Sequence, residues 1–282
     1  MTEVGQTVLR SGLLVILCLI LAANSALGND GINAREASEP QIGQHAYVTD
    51  LQYLDAEAKT QHALIHYLLY LPESYGRDPA KRWPLILYLH GLLKRGDDPN
   101  LIKVNALAKI LERQPDFPFV VLAPQMPLDK SWQRGVPTTW WDGMLQQVLA
   151  LLEKVQAQYA LDARRVSLTG ISMGGCGAWS YAVHCPRRFA AVVPVGGWYR
   201  WGSRAVPANI EVLKDLPIWI FQGGSDIISA PFQSEVMVQA LQKCGGNVRY
   251  TRYPGIGHGN KLWDLVYTNQ ELFDWMLEQR AQ

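Results

Sequence analysis

The sequence predicts an α/β fold in which a mostly parallel central sheet is covered by helices on both faces. Apolar runs of strand length alternate along the chain with segments whose apolar residues recur at helical spacing, a pattern typical of parallel sheets with crossover helices. Residues 166–182 add a sharper signal, because a β-rich run, a glycine-flanked turn with Ser172 at its apex and a helix-forming segment follow one another directly. The length of 282 residues, 48% of them hydrophobic, allows one large domain with a sizeable core.

The first segment is different in kind, because residues 13–23 form an uninterrupted apolar run with Arg10 before it and polar residues after it. Such a run is too short to span a bilayer as a helix. It is followed by Ala26-Leu27-Gly28, which is small at both positions that a signal peptidase reads. We therefore expect residues 1–28 to be a secretory signal cleaved after Gly28, which would place the mature protein outside the cytoplasm, without stable membrane insertion. An uncleaved N-terminal anchor is the alternative.

The first half of the remaining chain reads as tail, strand, strand, helix and strand. Residues 29–44 are polar and predict a flexible tail, so that one catalytic domain would extend over residues 45–282. Residues 62–71 alternate and are stopped by Pro72, which favours a strand. Residues 83–91 are apolar up to His90-Gly91, as expected of a strand buried on both faces. A helical pattern, an apolar strand and a long loop containing Trp132 follow at residues 101–113, 119–124 and 125–139.

The second half continues the alternation. Apolar residues at helical spacing predict a crossover helix over residues 141–158, and residues 161–165 are expected to turn the chain back toward the strand that leads to Ser172. Further strands are expected at residues 166–169, 190–195, 216–221 and 248–253. Helices are expected at residues 175–182, 235–242 and 262–280.

Charge and cysteine content exclude several classes of function. The net charge is only +1 with 18% charged residues, and the chain has no basic cluster, so we expect a small or neutral partner and no nucleic acid. Removal of the signal would leave Cys176, Cys185 and Cys244, an odd number that argues against a disulfide framework. Cys176 is expected to be a buried packing residue, and a bridge between Cys185 and Cys244 stays open. No spacing resembles a metal site, and we expect neither a metal nor a cofactor.

Ser172 is the candidate nucleophile. A serine held on so tight a turn is strained, and side chains at Gly170 or Gly174 would collide with neighbouring backbone. The turn also directs the N–H of Met173, at the start of the following helix, toward the place where negative charge would develop, so Met173 is one expected oxyanion donor. A Gly-x-Ser-x-Gly match by chance is expected on the order of once in ten such chains. Whether Ser172 is a nucleophile therefore depends on finding a base and an acid elsewhere in the chain.

Ligands of parallel sheets bind beyond the carboxyl ends of the strands, and this rule selects a base and an acid. Among six histidines, only His258 follows the last predicted strand, on a glycine-flanked loop. Asp226 follows the strand at 216–221 and therefore lies at the same edge. The other carboxylates between Ser172 and His258 precede a strand or lie on predicted helices: Asp215, Glu211 and Glu235. An imidazole oriented by a carboxylate can activate a serine.

The order Ser172, Asp226, His258 is that of α/β-hydrolases, and a second oxyanion donor is then expected just past His90-Gly91, at the N–H of Leu92. Over roughly residues 45–280 the chain resembles secreted α/β-hydrolases of the esterase branch that includes prolyl-oligopeptidase-like peptidases, feruloyl and acetyl-xylan esterases and polyhydroxybutyrate-depolymerase relatives. The matching segments are 70–72, 89–91 with 95–98, 162–175, 186–197, 216–226, and 253–258 with Trp263-Asp264. The resemblance implies an α/β-hydrolase fold and a Ser-Asp-His triad, and it is weak as to substrate.

Two departures from the relatives are visible. Residues 198–201 read Trp-Tyr-Arg-Trp where relatives often have a short glycine-rich turn, and our hypothesis is that Trp198 and Trp201, with Trp132, form an aromatic wall for an acyl group or sugar ring. Packing of these rings against a neighbouring loop is the alternative. Gln222 stands where histidine is common before the acid loop, and we expect it not to touch the chemistry.

The function expected from the sequence is hydrolysis of a small-molecule carboxylic ester through an acyl-enzyme at Ser172, without a cofactor. A serine peptidase acting on short peptides would use the same groups, although such enzymes usually carry an extra domain or charged residues that hold peptide termini. A catalytically silent binding protein of this fold is a third possibility. Its usual sign is loss of the nucleophile, the acid or the base, and this chain has Ser172, Asp226 and His258.

Overall fold

A computed structural model of the chain describes residues 40–55, 57–128, 140–199 and 205–282. Within them lies one eight-stranded sheet. Its strands are β1 Gly43–Leu54, β2 Thr60–Leu71, β3 Trp83–Leu89, β4 Val120–Pro124, β5 Leu161–Ile171, β6 Ala191–Val195, β7 Ile218–Gly223 and β8 Val248–Tyr253. The spatial order is β1-β2-β4-β3-β5-β6-β7-β8. The pairs β1/β2 and β2/β4 are antiparallel, and all other neighbours are parallel.

Helices connect the parallel strands and cover both faces of the sheet. The α-helices are α1 Ala106–Leu111, α2 Leu145–Gln158, α3 Met173–His184, α4 Pro231–Lys243, α5 Asn260–Tyr267 and α6 Gln270–Glu278. Short 3₁₀ helices lie at Leu92–Lys94, Pro99–Val104, Trp140–Met144, Pro186–Arg188 and Ile210–Leu213.

The core is divided in two by the sheet. Alternate residues of β3 point to opposite faces, so that Leu85, Leu87 and Leu89 pack with α2, α3 and α4, whereas Ile86 and Tyr88 pack with α1, α5 and α6. Every residue of β3 is buried, which explains why its sequence is apolar throughout rather than alternating. The predicted α/β fold with a mostly parallel sheet and helices on both faces is confirmed.

The beginning of the domain differs from the expectation of a tail up to residue 44. Strand β1 starts at Gly43 and pairs along its whole length with β2. Most of its residues are half-buried or exposed, because β1 is the edge strand of the sheet. Its sequence therefore lacks the apolar run that marks an inner strand. The predicted signal at residues 1–28 and most of the predicted tail lie outside the described residues.

Several elements differ in extent from their predictions; the helix expected at residues 141–158, for example, begins as the 3₁₀ helix Trp140–Met144 and continues as α2. Three further cases show a physical reason. Residues 161–165, expected to be a turn, belong to β5, but the pairing with β3 is irregular there, and Arg165 Nε donates to Asp162 Oδ2 at 2.8 Å. The helix expected at 101–113 is split into a 3₁₀ helix and α1, because Asn105 is extended and Ala106 has a positive φ. The helix expected at 262–280 is split into α5 and α6 at Asn269, whose side chain accepts from the N–H of Glu271 and so caps α6.

Membrane-spanning helices, metal sites and disulfides can be assessed in the described part of the chain. Within it, no helix is both long enough and apolar enough to cross a membrane. In the same residues, no group of three or more His, Cys, Asp and Glu side chains could hold a metal ion. Cys185 and Cys244, whose pairing the sequence left open, are not joined in a disulfide.

Candidate active site

Ser172 lies at the junction of β5 and α3. Its backbone has φ 53° and ψ −117°, a left-handed conformation that residues with a side chain rarely adopt. A Cβ at Gly170 would collide with the carbonyl of Gly174, and a Cβ at Gly174 would collide with the carbonyl of Leu89. Glycine is therefore required on both sides of the serine. Backbone strain of this kind costs on the order of 1–3 kcal/mol and is typical of functional sites.

The three predicted triad residues come together beyond the carboxyl ends of three strands. Ser172 follows β5, Asp226 follows β7 and His258 follows β8. His258 Nε2 lies 2.8 Å from Ser172 Oγ, and His258 Nδ1 lies 2.7 Å from Asp226 Oδ2. Because the carboxylate only accepts, Nδ1 carries the proton and Nε2 is left to accept from the serine hydroxyl. This arrangement can remove the hydroxyl proton during attack on a carbonyl.

Asp226, the last residue in the series of hydrogen bonds that starts at Ser172, is fixed by further hydrogen bonds of its own. Its side chain has no exposed surface, whereas that of His258 is 11% exposed. The second carboxylate oxygen, Oδ1, accepts from the backbone N–H of Ile228 at 2.9 Å and of Ser229 at 2.8 Å. On the outer side, the His258 ring packs edge-on against Trp263 with 5.1 Å between ring centroids. The imidazole therefore has little freedom to leave its position.

Gln222, which the sequence predicts not to touch the chemistry, contacts the loop that carries the acid. Its side chain is completely buried at the end of β7, where Nε2 donates to the Ser229 carbonyl at 2.7 Å and lies 3.4 Å from Asp226 Oδ2. Its Oε1 accepts from the Ser234 hydroxyl at 2.8 Å. Gln222 thus joins both ends of the acid loop. The available sequence signal was a polar residue at the end of an apolar strand.

The two predicted oxyanion donors occupy equivalent positions on adjacent strands. Leu92 is the first residue of a 3₁₀ helix after β3, and Met173 is the first residue of α3 after β5. The N–H of a first helical residue has no carbonyl partner within its own helix. Gly91 lies against Ile171, since a Cβ on it would be 3.6 Å from the Ile171 carbonyl oxygen. Leu92 therefore begins its helix beside the serine turn, as an oxyanion hole requires.

His90 fixes the loop that carries Leu92. Its ring is completely buried, with Nδ1 2.7 Å from the carbonyl oxygen of Gly91 and Nε2 3.0 Å from the backbone N of Met126. Since a carbonyl only accepts and an amide N–H only donates, the ring is neutral with its proton on Nδ1. Burial lowers the pKa of His90 from 6.5 to about 4, which keeps it neutral. The sequence placed His90 before the oxyanion loop but did not reveal this bridge.

Of the three tryptophans predicted to form an aromatic wall, the structure describes one. Trp198 follows β6, is only 5% exposed, and donates its backbone N–H to the thiol of Cys176 on α3. Trp198 is therefore buried next to the serine helix. Trp132 and Trp201 lie outside the described residues, and the wall stays a prediction.

Two other nucleophilic side chains near the serine lack the features of an attacking group. Ser180 contacts both Asp142 and His184, but it is 2% exposed and lies within α3 rather than at the helix start, where the first N–H groups are free to bind an oxyanion. Cys176 is also buried, and burial raises the pKa of its thiol to about 12. A thiol is a poor nucleophile unless it ionises. Ser172 is thus the nucleophile that the surroundings favour.

A cavity of about 720 Å³ lies elsewhere, at the opposite edge of the sheet. It is lined by residues that precede strands, among them Phe189 before β6 and Pro217 before β7, and by none of the triad residues. Ligands of such sheets bind at the carboxyl edge. The hydrogen-bonded residues around Ser172, rather than this cavity, define the candidate active site.

Comparison with known proteins identifies the family of the chain. The model of the family "Putative esterase" matches residues 60–264, which include all three predicted triad residues. The chain belongs to this esterase family. The structure of a thermostable esterase superposes with a TM-score of 0.66 at 30% sequence identity, covering 83% of this chain and 63% of that chain. Family membership supports a hydrolase of the carboxylic-ester type.

Other known proteins match this esterase at lower identity. The structure of a ferulic acid esterase covers 83% of this chain and 100% of its own, with a TM-score of 0.58 at 15% identity. Acyl-protein thioesterase 1 of Cryptococcus neoformans is 23% identical over 187 residues, which are 55% of this chain and 76% of that protein. These identities are too low to transfer a substrate.

Proposed function

We propose that this esterase is a serine hydrolase that cleaves small carboxylic esters through a covalent acyl-enzyme at Ser172. The observation that carries the proposal is the continuous chain of hydrogen bonds from Ser172 Oγ through His258 to Asp226, at 2.8 and 2.7 Å. It supports general-base activation of the serine, because the base lies within hydrogen-bond reach of the nucleophile and is itself oriented by a buried carboxylate.

The reaction would proceed in two stages. His258 takes the hydroxyl proton as Ser172 Oγ bonds to the ester carbonyl carbon, and Asp226 stabilises the imidazolium that forms. The N–H groups of Met173 and Leu92 stabilise the oxyanion. His258 then gives its proton to the leaving alcohol, and the acyl group stays on the serine. A water molecule, deprotonated by His258, finally attacks the acyl-enzyme, and His258 returns that proton to Ser172 Oγ as the carboxylic acid is released.

Hydrolysis of nitrophenyl acetate by purified protein tests this proposal. Ser172→Ala is expected to reduce kcat by a factor on the order of 10⁶, since loss of a triad serine removes the acyl-enzyme route. Ser180→Ala is the matched control, because this second serine also contacts a histidine and an aspartate but should not react. Wild-type turnover in the Ser172 variant would contradict the assignment.

A panel of esters and short peptides separates the ester hydrolase from the peptidase, which would use the same three side chains. We expect turnover of the esters and none of the peptides. Cleavage of peptides with kcat/KM above that for every ester would favour the peptidase. Failure of the wild-type protein to react with a fluorophosphonate would instead favour a silent binding protein.

We also propose that the protein is exported, on the basis of the apolar run at residues 13–23 and the small residues before Asn29. The mature protein recovered from the medium or periplasm should then begin at Asn29. Recovery of the complete chain from the membrane fraction would favour the uncleaved anchor.

A further inference from the structure

Two strongly exposed apolar side chains lie on the loops that carry residues of the candidate active site. Leu93 is 87% exposed and Ile227 is 93% exposed, the highest values among the large apolar residues that the structure describes. A single exposed apolar side chain is ordinary. These two, however, each directly follow a residue of the site, because Leu93 comes after the oxyanion donor Leu92 and Ile227 after the acid Asp226.

The strand order places these side chains on opposite sides of Ser172. Leu93 follows β3, the neighbour of β5 on one side, whereas Ile227 follows β7, two strands away on the other side. Neighbouring strands are about 4.8 Å apart, so the strands that lead to the two side chains are about 14 Å apart at the sheet edge, with the serine strand between them. A substrate bound at Ser172 would therefore lie between the two loops that carry these side chains.

The hydrogen bonds that build the site also fix the backbone on both sides. The turn carrying Leu93 is closed by the Lys94 N–H, which donates to the Gly91 carbonyl at 3.1 Å, and by Arg95 Nε, which donates to the Leu92 carbonyl at 3.0 Å. Ile227 lies between Asp226 and Ile228, whose N–H donates to Asp226 Oδ1 at 2.9 Å. The outward position of these apolar groups is therefore set by the same loops that position the oxyanion donor and the acid.

We propose that Leu93 and Ile227 are specificity-determining residues that bind the two apolar ends of an ester with extended hydrocarbon groups. This inference rests on the proposed function. His258 Nε2 must protonate the leaving alcohol, so the alcohol lies on the side of β7 and β8, where Ile227 projects. The carbonyl oxygen lies between Met173 and Leu92, and the acyl chain is left to extend away from His258 toward Leu93.

Contact with a hydrocarbon chain is the chemistry that suits these groups. An apolar chain laid against an exposed Leu or Ile removes apolar surface of both partners from water, and the gain grows with the length of the chain. An acetyl group offers little apolar surface for such a contact. The esterase is therefore expected to prefer longer acyl chains and longer alcohols over acetyl and methyl groups.

Two substrate series and three variants test this inference. Nitrophenyl esters from acetate to octanoate vary the acyl chain, and acetate esters from methyl to octyl vary the alcohol. Leu93→Ser should lower the octanoate-to-acetate ratio of kcat/KM by about three- to tenfold, and Ile227→Ser should lower the octyl-to-methyl ratio by a similar factor. Val212→Ser is the control, because Val212 is 37% exposed but precedes β7, at the other edge of the sheet, and both ratios should stay at their wild-type values.

The outcomes separate this inference from the proposed function. A wild-type esterase that is active but prefers acetate to octanoate, or whose chain-length ratios are unchanged in both variants, overturns the inference alone. An exchange of the two effects overturns the assignment of the acyl and alcohol sides. A wild-type protein that hydrolyses no ester in either series contradicts the proposed function instead. Because both side chains are exposed, unchanged urea midpoints should show that the variants are folded.

Discussion

Replacement of His90 by Asn tests whether a buried neutral imidazole makes the oxyanion loop sensitive to acid. His90 bridges the Gly91 carbonyl and the Met126 N–H, and the second of these bonds is lost when Nε2 is protonated. Burial lowers the pKa of His90 from 6.5 to about 4; the Gly91 carbonyl opposes this change, and the charges of Arg95 and Lys94 add to it. Between these two pKa values, His90 is therefore neutral in the folded protein and protonated in the unfolded chain.

The direction and size of the effect follow from this difference. Between pH 6.5 and about pH 4 the unfolded chain carries a proton on His90 that the folded chain does not, so the free energy of unfolding falls as the pH falls. Each pKa unit corresponds to about 1.36 kcal/mol. The contribution of His90 is therefore complete above pH 6.5, declines by about 2 kcal/mol down to pH 5, and has lost roughly 3 kcal/mol at pH 4.

Urea unfolding of the wild type and of His90→Asn at pH 7, 6, 5 and 4 measures this contribution. Asparagine does not titrate, so carboxylates that titrate in both proteins cancel in the difference. The wild type should lose about 2 kcal/mol more than the variant between pH 7 and pH 5. A difference between the two proteins that is independent of pH would refute the reasoning, whatever the cost of the substitution itself.

Substitutions at three positions of the site have distinct expected outcomes. Gln222→Leu should lower kcat about tenfold with little change in KM, because the acid loop loses its buried amide. Gln222→Glu should keep the loop in place but put a second carboxylate beside Asp226. This second negative charge should shift the acid limb of the pH–rate profile to a higher pH. Asp226→Asn should lower kcat by a factor on the order of 10³ to 10⁴ in the nitrophenyl assay, through the wrong imidazole tautomer. In urea unfolding, the free energy of unfolding of Ser172→Gly should exceed that of Ser172→Ala by about 1 kcal/mol, because glycine adopts a positive φ without strain. Equal free energies of unfolding would argue against strain at this position.

The location of the site could be predicted because it depends on local and topological rules. The glycines around Ser172 are imposed by collisions within a few residues, and a parallel sheet brings Asp226 and His258 to the same edge whatever the helices between them do. Both rules can be applied to a sequence read in order. The inner strand β3 could be predicted equally well, because a strand buried on both faces has an apolar sequence throughout.

The features that escaped prediction depend on contacts between distant segments or on weak patterns. In the edge strand β1 only one face is half-buried, and that face holds the polar residues His45 and Thr49 among its apolar ones, so the alternation in burial is not matched by a clear apolar pattern. The break at Asn269 depends on a single side-chain cap. Gln222 and His90 matter because of residues that fold against them, Ser229 and Ser234 in one case and Met126 in the other. None of these partners could be assigned without the fold.

The most direct test of the central claim is to identify the residue that a fluorophosphonate modifies. Intact-protein mass spectrometry should show one adduct per chain, peptide mapping should place it on Ser172, and prior labelling should abolish ester hydrolysis. His258→Ala should label much more slowly, because the base that activates the hydroxyl is missing. Adduct formation on Ser180 or another residue, or full esterase activity after complete labelling of Ser172, would contradict the account.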